Sequence, residues 1–121
     1  MLRMSVEQFE EVVAEALGEI PADLAERIEN VTVMVEDEPQ RELLVDLGMD
    51  PDEDQLFGLY EGVALPERGT NYAGTLPDRI LIYRLPLLEA CETRGELRRE
   101  IRLTVIHELG HYFGLQEEEL P

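Results

Sequence analysis

Apolar residues recur at helical spacing near both ends of the chain and alternate with polar residues in its middle. A capping box that begins at Ser5 predicts a helix over Val6–Leu17, ended by Gly18. A second, shorter helix is predicted over Pro21–Ile28. One or two further helical turns are indicated at Arg41–Leu47. These three segments are therefore expected to be helical.

Three segments are rich in β-branched and aromatic residues and are predicted to be strands. They are Val31–Val35, Leu56–Leu65 and Arg79–Leu85. In the first, the valines alternate and should share one face. In the second, Gly58 and Gly62 would suit a bulge or the close approach of another backbone, such as an extended substrate. The alternative is a twisted edge strand that binds no ligand.

The longest periodic segment lies near the C-terminal end of the sequence. A short helix over Pro86–Glu92 precedes it, and a second capping box at Thr93 predicts a long helix from about Arg94 to Phe113, closed by Gly114. One face of this helix is apolar and should be buried: Leu97, Ile101, Val105, Leu109 and Phe113. Together these elements predict an α+β fold, with a short mixed sheet of three to four strands packed by helices. Residues 1–121 are expected to form one domain.

The polar side of the long helix carries an H-E-x-x-H motif at residues 107–111. In a helix, His107 and His111 stand one turn apart on one face, where two imidazoles can bind the same metal ion. Glu108 is then placed to act as a general base toward an attacking water. The chain has only two histidines, and random placement would give this pattern in roughly 0.3% of cases. The alternative, two histidines that bond to backbone or carboxylates without metal, leaves the spacing unexplained.

A catalytic zinc ion usually takes three protein ligands, so the motif needs one more. Glu117 occupies the third-ligand position of the H-E-x-x-H-x-x-G-x-x-H pattern, and Gly114 has its expected place. A carboxylate at Glu117 would give a site of two histidines and one glutamate. Glu118, Glu119 or a water remain alternatives as the third ligand, and residues 117–119 could instead be a solvated acidic tail.

The charge of the chain limits its partners. There are 28 acidic and 10 basic residues, for a formal net charge of -18, which disfavours nucleic acid and anionic membranes and suits divalent cations and peptides. Asp50, Asp52 and Asp54 alternate as in calcium loops, but the glycine and final glutamate of that pattern are missing. Cys91 is the only cysteine and is expected to be a buried apolar residue. Neither a signal sequence nor an apolar run of membrane-spanning length is present, so a cytoplasmic protein is expected.

The chain from about Leu56 onward resembles a known family. The segments that carry the resemblance are Gly58–Gly62, Pro77–Ile80 and Ile106–His111. They look like those of the small bacterial zincin-like metallopeptidases, also called minimal zincins. The resemblance implies an α+β fold in which the HExxH helix packs on a short mixed sheet. This sequence has no downstream Met-turn and no third histidine.

The sequence favours a metallopeptidase of the HExxHxxGxxE type that acts on a peptide or protein. The metal would be Zn²⁺, or another divalent transition metal, on His107, His111 and Glu117, with Glu108 as the base. One alternative is a regulatory or interaction module that binds metal without turnover. Another is a metal-dependent endoribonuclease, because ribosomal-RNA maturation nucleases carry H-x-x-x-H-x-x-G and a further histidine. The charge and the missing histidine weigh against it.

Overall fold

The structure is a computed structural model, and it describes residues 1–26, 31–62 and 79–112. The side chains of residues 111 and 112 are not among the described parts. The described helices are α1 (Val6–Gly18), α2 (Ala22–Ala25), α3 (Arg41–Asp46), α4 (Arg84–Ala90) and α5 (Arg94–Tyr112). The described strands are β1 (Thr32–Glu36), β2 (Gly58–Glu61) and β3 (Arg79–Tyr83). The predicted order of elements is confirmed. The loop over 66–77 and the predicted end of the second strand lie outside the described residues.

The three described strands form one mixed sheet in the order β1-β3-β2. β1 pairs with β3 in parallel, and β2 pairs with β3 in antiparallel register, which places Gly58 opposite Ile82 and Tyr60 opposite Ile80. This arrangement confirms the predicted α+β fold with a small mixed sheet. β3 is central, so α1 and α5 can cover its inner face while β1 and β2 lie on either side.

One face of the sheet packs against α1 and α5 to form the hydrophobic core. This core includes Phe9, Val13 and Ala16 from α1, Ile80 and Ile82 from β3, and four residues of the predicted apolar face of α5: Leu97, Ile101, Val105 and Leu109. The valines of the first strand pack against the same core, as their alternation predicted. Cys91 is buried and belongs to this core, as expected. The predicted contribution of Phe113 lies outside the described residues.

The capping box at the start of α1 is confirmed in both directions. The Ser5 hydroxyl accepts a hydrogen bond from the Gln8 backbone N–H at 3.1 Å, and the Ser5 N–H donates to the Gln8 side chain at 2.9 Å. The helix ends at Gly18, close to the predicted boundary, although this glycine does not have a positive φ. At its end the Glu19 N–H donates to the Ala16 carbonyl at 3.1 Å, and the Ile20 N–H donates to the Leu17 carbonyl at 3.3 Å.

The boundary between β3 and α4 differs from the prediction, which continued the strand to Leu85 and began the helix at Pro86. The strand ends at Tyr83, and α4 already includes Arg84. Pro86 is its third residue, a position whose N–H has no partner within a helix. Tertiary contacts favour the earlier turn: the Arg84 side chain binds Asp37 at 3.0 Å, and the Leu85 N–H donates to the Asp37 carbonyl at 2.8 Å.

The alternating aspartates at 50–54 stabilise a turn. The Asp52 N–H donates to the Asp50 carboxylate at 2.9 Å, and the Asp50 N–H donates to the Asp54 carboxylate at 2.7 Å. The Asp52 side chain also forms an ion pair with Arg41 at 3.0 Å. These contacts give the alternation a structural role, because Asp side chains commonly satisfy backbone donors in turns.

An ion-pair network joins α1 to α5 along their exposed sides. Glu15 of α1 pairs with Arg94 and, at 3.5 Å, with Arg98. Glu19, at the end of α1, pairs with Arg98 at 2.8 Å and with Arg102 at 3.1 Å. The three arginines are spaced four residues apart and therefore lie on one face of α5. They fix the position of the helix that carries the motif, in addition to its apolar contacts.

We expect Glu15→Gln to reduce stability at neutral pH but to have less effect in acid. The hydrogen bond from Arg94 lowers the pKa of Glu15 below its ordinary value of 4.5. A carboxyl whose pKa falls on folding stabilises the protein above its ordinary pKa, and this stabilisation is lost as the pH falls through the folded-state pKa. Urea unfolding near pH 7 and at about pH 3 measures the difference. The effect should be small because the Glu15 side chain is 41% exposed.

Glu10→Gln is a matched control, since Glu10 is an exposed residue of α1 outside the network. It should leave the difference between the two pH values unchanged. An equal loss of stability for Glu15→Gln at both pH values would contradict the proposed contribution of the ion pairs.

Candidate metal centre

The H-E-x-x-H motif lies within α5, which continues from Arg94 to Tyr112. The backbone is helical through both histidines, so His107 and His111 lie about 6 Å apart along the helix axis and share a face. The predicted helical placement of the motif is confirmed. The side chain of His111 is outside the described residues. The His107 and Glu108 side chains are described, and both are half-buried.

These two side chains line a cleft between α5 and the segment that enters β2. Its volume is about 290 Å³, and its other described lining residues are Leu56, Phe57, Gly58, Leu103 and Thr104. The polar residues of the motif therefore share a concave surface with apolar side chains.

Gly58 allows β2 to approach α5 closely at this cleft. A Cβ atom on Gly58 would lie 2.5 Å from Cγ2 of Thr104 and 2.9 Å from the carbonyl oxygen of Leu81. The sequence indicated a bulge or a close approach at Gly58, and the structure shows a close approach by the Thr104 side chain of α5. Gly62 has a φ of 141°, which a side chain would disfavour, where the chain leaves β2.

A larger cleft lies between α3 and α4 and shares Leu56 with the first. Its volume is about 770 Å³, and the charged residues of its described lining are five acidic residues and one arginine: Glu38, Asp52, Glu53, Asp54, Glu89 and Arg41. Histidine is absent from its described lining, so the chemistry of the motif belongs to the smaller cleft. The larger cleft contributes negative potential beside it.

The predicted metal ligands are His107, His111 and Glu117, and only the first has a described side chain. Glu117, its alternatives Glu118 and Glu119, and Gly114 lie outside the described residues. Among the described side chains, no group of three His, Cys, Asp or Glu residues could hold a metal ion. The chemistry of the predicted donor set suits zinc, since zinc is bound by imidazole nitrogens and carboxylate oxygens.

Tyr83 is a buried phenol in the electrostatic neighbourhood of the motif. Burial raises the pKa of Tyr83 to about 12, and the carboxylates of Glu36, Glu61 and Glu108 contribute in the same direction. The phenol is therefore neutral at physiological pH and does not add to the negative charge around Glu108. Sequence patterns do not indicate this relationship, because Tyr83 and Glu108 belong to different elements.

Sequence reasoning also missed most of the cleft lining. Periodicity places Leu103 at the edge of the buried face of α5, whereas it is half-buried and lines the cleft. Leu56 and Phe57 belong to the predicted second strand, which begins in the structure only at Gly58. The sequence gives one indication of the cleft lining: Thr104 lies on the same polar side of the helix as the H-E-x-x-H motif.

No described helix is both long enough and apolar enough to cross a membrane. The curated proteins contain no match to this chain. Among solved structures, the chain is similar to a conserved hypothetical protein from Thermus thermophilus, at 24% identity. That match covers 89% of this chain and 92% of the other, with a TM-score of 0.58, and supports the fold. A family model described as zincin-like metallopeptidase matches residues 28–121. The chain therefore belongs to the zincin-like metallopeptidase family.

Proposed function

We propose that the protein is a zinc-dependent metallopeptidase of the HExxHxxGxxE type. His107, His111 and Glu117 hold the zinc ion, and Glu108 is the general base. The observation that supports this proposal is the placement of His107 and Glu108 in one half-buried cleft, on a helix that continues through His111. Membership of the zincin-like family supports the same reaction class.

Zinc, when bound, supplies Lewis acidity toward the peptide carbonyl and brings the pKa of water to about 7. Glu108 accepts a proton from the attacking water as the new carbon–oxygen bond forms. It then delivers this proton to the departing amine as the carbon–nitrogen bond breaks. Glu108 is adjacent to His107 in the helix and lines the same cleft, which supports a base beside the first of the proposed ligands.

The substrate is proposed to be an extended peptide that adds to the edge of the sheet at β2. In the described part of the chain, β2 is paired with β3 on one side only. Its first residue, Gly58, lines the same cleft as His107. A peptide paired with this edge would receive backbone hydrogen bonds and would pass beside the motif. The net charge of -18 favours this substrate class over nucleic acid or an anionic membrane.

We expect tag-free protein to bind one equivalent of zinc at neutral pH, and Glu117→Ala to weaken that binding by at least about tenfold. The variant loses one of the three proposed protein ligands. Replacing a residue that only supports the ligands of a metal site already weakens metal binding by about 10–100-fold, so the loss of a ligand should cost at least as much. Elemental analysis measures the stoichiometry, and competition with a chromophoric chelator measures the affinity. Glu118→Ala and Glu119→Ala are the matched controls and should keep the affinity of the unmodified chain.

A stoichiometry below one equivalent for the unmodified chain would refute the metal site. Unchanged affinity in Glu117→Ala, with a loss in one of the two controls, would move the third ligand to that residue. Zinc binding at full stoichiometry without cleavage of any peptide would favour the metal-binding module over the peptidase.

A further inference from the structure

The cleft beside the motif has two chemically different ends. His107 and Glu108 form the polar end. The other end is formed by Leu56 and Phe57, from the segment before β2, and by Leu103 from α5. These three apolar side chains are all half-buried, and Phe57 also packs against the hydrophobic core, so each keeps part of its surface exposed. A ligand that fills this cleft must therefore combine a polar group with an apolar one.

Thr104 adds to the apolar end despite its hydroxyl. The hydroxyl donates a hydrogen bond of 2.8 Å to the Glu100 carbonyl, one helical turn earlier. The methyl carbon, Cγ2, is the atom that approaches Gly58, at 2.5 Å from the position that a Cβ would take there. The side chain thus satisfies its polar atom within the helix and directs its methyl group toward β2.

The two ends are separated by one turn of α5. Leu103 and Thr104 precede His107 and Glu108 by four residues, or about 6 Å along the helix axis. One residue of an extended chain spans about 3.3 Å, so this separation corresponds to two residues or fewer. A substrate whose reacting carbonyl lies at the polar end would therefore place a side chain close to the cleaved bond in the apolar end.

From this arrangement we propose that the apolar end, formed by Leu56, Phe57, Leu103 and the Thr104 methyl group, is a specificity subsite for an apolar substrate residue. This inference rests on the proposed peptidase function and names its substrate class: peptides with a leucine, methionine or phenylalanine beside the cleaved bond. The cleft volume of about 290 Å³ is near the lower limit of ligand pockets, which suits one side chain better than a larger group.

The experiment has a cleavage readout and a binding readout. Zinc-reconstituted full-length protein is incubated with a diverse peptide mixture, and the cleaved bonds are identified by mass spectrometry. We expect leucine, methionine or phenylalanine to be enriched at least about tenfold over asparagine and glycine at one position, because a methylene in an apolar pocket changes specificity about 10–200-fold. For binding, N-acetyl-leucinamide should shift the amide resonances of Leu103 and Thr104 saturably, and N-acetyl-asparaginamide should not.

Leu103→Gln tests the subsite and keeps a side chain of similar length. It should reduce the enrichment at least about fivefold and abolish the shifts caused by N-acetyl-leucinamide. Leu85→Gln is the matched control: Leu85 is a 38% exposed leucine on α4 outside the cleft, and this variant should keep both properties. The titration of unmodified protein needs no variant, so the subsite remains testable if Leu103→Gln does not fold.

The two readouts separate this inference from the proposed function. Cleavage that is indifferent to apolar residues, without shifts at Leu103 and Thr104, would overturn the subsite while the peptidase proposal stands. Apolar binding at these residues without any cleavage would support the apolar site and refute the peptidase. Enrichment of acidic or polar residues beside the cleaved bond would overturn the proposed substrate class.

Discussion

Glu108→Gln is expected to lower kcat for peptide hydrolysis by about 10²–10⁴-fold while the protein keeps one equivalent of zinc. Glutamine has nearly the same shape as glutamate but cannot accept the proton of the attacking water. Glu108 is half-buried in the cleft with His107, so a neutral side chain of the same size should be accommodated without moving the helix. Hydrolysis of a peptide identified from the mixture, followed by liquid chromatography, measures kcat. Elemental analysis of the same sample measures zinc.

The matched control for this experiment is Glu100→Gln. Glu100 is also a half-buried glutamate of α5, but it does not line the cleft. Its variant should retain the activity and the zinc of the unmodified chain. Activity above one tenth of the unmodified value in Glu108→Gln would contradict the role of Glu108 as base. Loss of zinc together with activity would assign Glu108 to metal binding and not to proton transfer.

The sequence predicted α5 and its motif correctly because both depend on local spacing. Helical periodicity from Leu97 to Leu109 determines which side is buried, and the same periodicity places His107 and His111 on one face. The capping box at Ser5 is equally local and was also found as predicted. Features of this kind need no knowledge of which other elements pack nearby.

The features that sequence reasoning missed depend on contacts between distant segments. The early start of α4 follows from the contacts of Arg84 and Leu85 with Asp37, far away along the chain. The cleft is formed by Phe57 and Leu103, whose proximity results from the pairing of β2 with β3 and the packing of α5 below them. Hydrophobic patterns indicate that a residue is apolar, but not which partner will face it.

Gly58 illustrates, at a single residue, that sequence patterns do not identify the partner of a contact. The sequence correctly suggested that a glycine inside a strand allows another group to approach closely. In the structure the group that approaches is the Thr104 side chain of α5, a contact between elements that local sequence patterns do not indicate. Gly58 thus brings β2 close to the helix that carries His107 and Glu108. β2 can therefore lie close to the motif because residue 58 has no side chain. The proposed path of the substrate depends on this short distance.

The second large effect is expected from Gly58→Ala, which should lower the free energy of unfolding by about 1–3 kcal/mol, as inserted methyl groups do in well-packed sites. The new Cβ would meet Cγ2 of Thr104 at 2.5 Å and the carbonyl oxygen of Leu81 at 2.9 Å. Neither atom can move freely. The Thr104 hydroxyl is hydrogen-bonded to the Glu100 carbonyl at 2.8 Å, and Leu81 belongs to the central strand, which is paired on both sides. Urea denaturation followed by circular dichroism measures the change.

Two comparisons separate the steric contact from a general effect of replacing glycine. Gly18→Ala, at the end of α1, adds the same methyl group where no atom lies within 4 Å, and it should leave stability unchanged or raise it by about 0.4–1 kcal/mol. Thr104→Ser removes Cγ2 and keeps the hydroxyl, so the double variant with Gly58→Ala should be more stable than the sum of the two single changes predicts. Additive effects in the double variant, or an unchanged stability of Gly58→Ala, would show that β2 and α5 are not in close contact at Gly58. In that case the edge of the sheet would not be held beside the motif, and the proposed path of the peptide past Glu108 would lose its structural basis.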